Sequence, residues 1–203
     1  MFDPDKVDAD FIADFRNRHR LTGKKVITTV GRITQLKDHQ TFIRAIGILA
    51  EQGHDVVGLV VGGVRDDKRG YFDGLKRLTA ELGLTDRIVF AGSQRKMAEI
   101  YALSDVVVSS SKKPESFGRT AAEALAMNTP VVATRHGGVL DIVIDRENGF
   151  LIEIQDPVAL ADAVLESVSL AKDNLRKHIL DNFSLGKMVE ETILLYRSEV
   201  RLK

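Results

Sequence analysis

The chain has 203 residues, enough for one sizeable core and marginal for two. Its 29 Lys+Arg balance 29 Asp+Glu, so nothing resembles the basic footprint of a nucleic-acid binder. It has no cysteine, which excludes disulfides, zinc–thiolate sites and a thiol nucleophile, and no apolar run approaches the ~18 residues that cross a bilayer.

The start, Met1-Phe2-Asp3-Pro4-Asp5, is polar and acidic, unlike a secretory signal, and reads as the cut end of a longer chain. From there two patterns alternate. Short β-rich runs lie at Lys25–Val30, Val56–Val61, Arg87–Ala91, Asp105–Ser109, Pro130–Thr134 and Gly149–Ile154. Several are apolar at nearly every position, as parallel strands buried on both faces are. Helical spacing predicts helices over Asp38–Gln52, Tyr71–Leu82, Met97–Leu103, Ser116–Met127, Pro157–Leu170, Lys172–Asn182 and Leu185–Val200. Asp156-Pro157 is a good N-cap and first-turn pair. Alternation of this kind implies right-handed crossovers and a doubly wound parallel sheet with helices on both faces, in a single domain over 1–203.

In such a sheet ligands sit outside the carboxyl ends of the strands. Gly31-Arg32 and Lys37 follow the first strand. An arginine fork and a mobile lysine suit a diphosphate, although loop composition alone fits two solvated cations as well. After the fourth strand comes Pro114-Glu115-Ser116-Phe117-Gly118-Arg119-Thr120, with Glu123 beyond. Ser116 is placed to cap the next helix, and the free N–H groups of that first turn make an anion site. If both were helical, Glu115 and Glu123 would lie ~12 Å apart along the axis, beyond the ~5–9.5 Å of a glycosidase pair. Two such carboxylates could instead accept from separate hydroxyl-bearing parts of one extended ligand. Glycines recur at other strand ends: Gly62-Gly63, Gly92-Ser93-Gln94-Arg95 and His136-Gly137-Gly138. Each could bring backbone to a ligand, or simply serve a tight turn. There is no G-x-G-x-x-G after the first strand, no Walker A sequence, no H-E-x-x-H and no G-x-S-x-G.

Gly31-Arg32…Lys37, Pro114-Glu115-Ser116-Phe117-Gly118…Glu123-Ala124, Pro130-Val131-Val132, Gly137-Gly138 and Asn148-Gly149-Phe150-Leu151 together resemble the carboxy-terminal domain of glycosyltransferase family 4 (group 1). The resemblance runs from about Gly23 to Arg197. It implies an α/β fold with a Rossmann-like doubly wound sheet, one half of a GT-B architecture whose amino-terminal acceptor domain is missing here. It implies a retaining, metal-independent hexosyltransferase of envelope, polysaccharide or lipopolysaccharide synthesis, inactive as this domain alone. The donor would be a UDP-, GDP- or ADP-sugar, with no other cofactor. The acceptor would be a glycan or lipid-linked molecule held by the missing domain. The expected location is the cytoplasm, peripheral to the inner face of the cytoplasmic membrane when full length.

By motif position, Arg32 and Lys37 would offset leaving-group charge and Glu115 would contact the donor sugar. Gly31, Ser116, Phe117, Gly118, Arg119 and Thr120 would surround sugar and phosphates. Glu123 would hold the ribose. Ser93, Gln94 and Arg95 would lie near the base, with Gly62, Gly137 and Gly138 also lining the cleft. Asp141 stands where the family commonly has Glu, and Lys112-Lys113 is more basic than expected. A non-catalytic nucleotide-sugar-binding or interaction module on the same scaffold is the alternative.

Overall fold

The computed structural model describes residues 2–172 and 174–201. Six strands, β1 (Lys25–Val30), β2 (Val56–Val61), β3 (Ile88–Gly92), β4 (Val106–Ser109), β5 (Val131–Thr134) and β6 (Gly149–Ile152), form one sheet. All neighbours are parallel, in the order β3-β2-β1-β4-β5-β6. Each predicted strand forms, within two residues at either end. The helices in chain order are α1 (Ala9–Arg18), α2 (His39–Glu51), α3 (Arg69–Glu81), α4 (Met97–Ala102), α5 (Arg119–Ala126), α6 (Val139–Ile142), α7 (Pro157–Val168), α8 (Leu175–Phe183) and α9 (Leu185–Arg201).

Helices cover both faces, which is why β2 is buried at all six positions. One face packs α2, α3 and α7 on alternate strand residues such as Ile27, Val106 and Val108. The other packs α1, α4, α5 and α8 on the intervening ones, including Val26, Val57 and Val107. The stripe Phe42, Ile43, Ile46 and Leu49 seats α2, as its spacing predicts. Asp156 caps α7 by accepting from Ala159 N at 2.9 Å, with Pro157 in the first turn.

Four details depart from the sequence reading. Helix α6 was not foreseen, and neither was α1. Asp8 caps it, accepting from Phe11 N at 2.9 Å, and Phe15 is its one buried side chain. Helix α5 begins three residues later than predicted, and Ser116 does not cap it. Gly118 occupies the N-cap at φ +86°, a left-handed conformation that favours glycine, and no side chain bonds there. Helix α8 starts at Leu175, not Lys172. Asp173, within the predicted span, lies outside the described residues.

Candidate active site

Strands β1 and β4 are neighbours, but they lead to α2 and α5 on opposite faces. Their connections diverge and leave a crevice at the carboxyl ends. A cavity of about 510 Å³ occupies it. Gly31, Arg32 and Lys37 line one side; Glu115, Ser116, Phe117, Gly118, Arg119, Thr120 and Glu123 line the other. Ten of the sixteen residues singled out from the sequence therefore meet in one place.

The two sides touch. Lys37 Nζ donates to Glu115 Oε1 at 2.6 Å, and Ser111 Oγ donates to the same oxygen. Burial pushes the Glu115 carboxyl up, but these bonds and the lysine charge outweigh it and hold the group below the usual carboxylate range. Glu115 is therefore an ionised acceptor at neutral pH, unsuited to act as a general acid. Arg32 and Arg119 are exposed at the cavity and make no ion pair among the described residues. Thr120 stands in the first turn of α5, beside N–H groups that the helix itself leaves free.

The loop that carries Lys37 is latched to the loop that carries Glu115. Lys112 N donates to Leu36 O at 2.8 Å, and Ser110 Oγ to Lys37 O at 3.2 Å. Lys112 Nζ reaches Asp38 Oδ1 at 3.3 Å. Asp38 is 1% exposed, sits at φ +47°, and also accepts from Thr41 Oγ1 at 2.7 Å. The basic Lys112 noted in the sequence thus faces a buried carboxylate.

Six residues lie elsewhere. Gly137 and Gly138 support the Glu115 loop from behind. Gly138 N donates to Glu115 O at 2.8 Å, and a Cβ on Gly138 would fall 2.6 Å from Phe117 Cα. A Cβ on Gly62 would fall 1.8 Å from Gly31 O, so Gly62 lets β2 pass close to the β1 loop. Ser93, Gln94 and Arg95 follow β3, the edge strand, away from the crevice. Gln94 Nε2 donates to Ala91 O at 2.6 Å, while Ser93 and Arg95 are exposed.

Three lining residues were not singled out as site residues from the sequence: Val30, the last residue of β1, and Met97 and Tyr101 from α4. The two α4 residues precede β4, so a search of strand ends passes over them. The tyrosine left one signal, since a buried phenol needs a partner. Its hydroxyl donates to Glu123 Oε2 at 2.8 Å. Among the described residues no group of three or more His, Cys, Asp or Glu could hold a metal ion, and no helix is long and apolar enough to cross a membrane.

The family described as glycosyl transferases group 1 matches residues 11–182. The chain belongs to this family. Over 183 residues it is 33% identical to D-inositol 3-phosphate glycosyltransferase of Corynebacterium urealyticum, a match that covers 86% of this chain and 43% of that protein. A group 1 chain of this size spans less than half the length of the curated relatives it matches. A glycosyltransferase from Rickettsia africae superposes with a TM-score of 0.89 at 26% identity, over 100% of this chain and 55% of the other. HepE of Anabaena, solved in complex with UDP, shares the fold, with a TM-score of 0.87 at 24% identity over 97% and 56%. The sheet is Rossmann-like and matches those of GT-B glycosyltransferases.

Proposed function

We propose that this chain is the donor-binding domain of a retaining glycosyltransferase and holds a nucleotide sugar in the crevice between β1 and β4. One observation carries the reading. Three cationic side chains and a helix N-terminus line the same cavity as the carboxylates Glu115 and Glu123. That set of groups suits a ligand that carries both a diphosphate and hydroxyl-bearing sugars.

In this pose Arg32, Lys37, Arg119 and the first-turn N–H groups of α5 face the diphosphate. Lys37 has three N–H donors and commits one to Glu115, so two remain for phosphate oxygens. Glu115 accepts from a sugar hydroxyl, and Glu123 accepts from the ribose. Breaking the bond between the anomeric carbon and phosphate oxygen leaves positive charge on the sugar and negative charge on the diphosphate. Preorganised cations and dipoles lower that barrier. They supply the charge stabilisation that a divalent metal gives elsewhere, so the reaction is metal-independent. The acceptor, a glycan or lipid-linked molecule, is bound by a further domain of the full-length enzyme. The reaction serves envelope glycan or lipopolysaccharide synthesis on the cytoplasmic side of the membrane.

Calorimetric titration with UDP, GDP and ADP, with and without magnesium, tests this reading. UDP comes first because HepE, of the same fold, is found with it. The expected result is binding of one nucleotide in the micromolar range, unchanged by magnesium. Absence of binding, repeated on a full-length two-domain protein, would overturn the assignment.

A further inference from the structure

Tyr101 lies outside the motifs that carry the resemblance, yet it reaches the cavity. Its side chain is 0% exposed to bulk solvent, and its hydroxyl donates to Glu123 Oε2 at 2.8 Å. The ring is fixed from several sides. Phe2 packs edge-on against it, with centroids 5.8 Å apart at 63°. Arg176 Nη1 holds Phe2 by donating to its carbonyl. Thr129 Oγ1 donates to the carbonyl of Tyr101 at 2.8 Å. Burial and the adjacent Glu123 charge push the phenol well above its usual value, so it keeps its proton and acts as the donor.

A phenol has one proton to give. With that proton spent on Oε2, the terminal torsion of Glu123 is fixed and Oε1 is left open to accept. A carboxylate held in this way suits two adjacent hydroxyls better than a freely turning one, because its ordering cost is met before the ligand arrives. We propose that Tyr101 is a positioning residue that locks the Glu123 carboxylate for the vicinal hydroxyls of a ribose. The site then selects ribonucleoside diphosphates over their 2′-deoxy analogues. This inference rests on the placement of the ribose at Glu123 argued above.

The test is a ratio of affinities. UDP, GDP and ADP are titrated into the wild-type protein, and the tightest is compared with its own 2′-deoxy form. The same two ligands are then titrated into Tyr101→Phe. Wild type should favour the ribonucleotide by about tenfold or more, the worth of a hydrogen bond to a charged group. In Tyr101→Phe that preference should shrink roughly three- to tenfold, the scale of ordering one side chain on binding. Phe2→Ala, which leaves the hydroxyl in place but removes the edge packing, should shift the ratio the same way and serves if Tyr101→Phe does not fold. A ratio unchanged in the variants, or an equal loss for both ligands, would mark Tyr101 as core only and overturn the inference, with the ribose reading intact. Equal wild-type binding of both ligands would overturn the ribose placement itself. No binding of any nucleotide would instead tell against the donor reading.

Discussion

At the scale of single residues, charge placement decides what each group can do. Arg32 is exposed, lines the cavity and is free of protein partners among the described residues, so its guanidinium is available to a bound anion. Arg32→Ala should weaken UDP by about 10- to 100-fold, the loss of one charge-assisted hydrogen bond, while uridine affinity barely moves. Calorimetry with both ligands checks this, and an equal loss would contradict the assignment. His39 poses the opposite case. It is 0% exposed, and burial pushes its imidazole down to about 4, which a backbone contact with Thr34 offsets only in part. As pH falls the unfolded chain takes up this proton first, near the usual 6.5. The contribution is therefore complete above pH 6.5 and is lost as pH falls towards 4. About 2 kcal/mol should be gone by pH 5. Urea midpoints measured at pH 7 and pH 5 should differ less in His39→Leu than in wild type. Glu115 acts lower on the scale: its depressed carboxyl stabilises the fold above its unfolded value near 4.5 and loses that as pH falls further.

At the scale of elements, β1, β2, β4 and β5 were legible because each is rich in β-branched residues and largely buried, α2 because of its apolar stripe, and α7 because stripe and cap agree. Helix α1 was hidden because it buries only Phe15 among polar neighbours. The strand-end rule found most of the cavity but missed α4, which enters from before a strand. It also could not tell what a glycine makes room for. Gly137 and Gly138 admit the backbone of Glu115–Phe117, and Gly62 admits that of Gly31. The latch between the β1 and β4 loops was visible only as surplus basic charge. Lys112→Met takes the lysine from the buried Asp38 and leaves Thr41 as its one side-chain partner among the described residues. It should cost about 1–3 kcal/mol, the range for taking a partner from a buried polar group, with recovery in Lys112→Arg. Lys113→Met, at an exposed neighbour, should stay within about 0.5 kcal/mol. Urea denaturation of the three variants is the measurement.

At the scale of the whole molecule, the cavity lies across a seam. One wall follows β1 and the other follows β4, so a ligand there binds only the folded chain. UDP at one hundred times its Kd should raise the unfolding free energy by about 2.7 kcal/mol. The same shift should appear in far-ultraviolet dichroism and in tyrosine fluorescence. A shift in one signal alone would show that unfolding is not a single cooperative step. The strand order has an earlier consequence, during synthesis. β1 is central in the finished sheet, but its second neighbour is β4, where Ile27 lies beside Val106. Until β4 leaves the ribosome, β1 is a bare edge with a row of unpaired amides and carbonyls, the template on which nascent chains aggregate. Thr28 and Thr29 break its run of valine and isoleucine there, and the first of them later closes the seam through a 2.6 Å hydroxyl contact with Ser104.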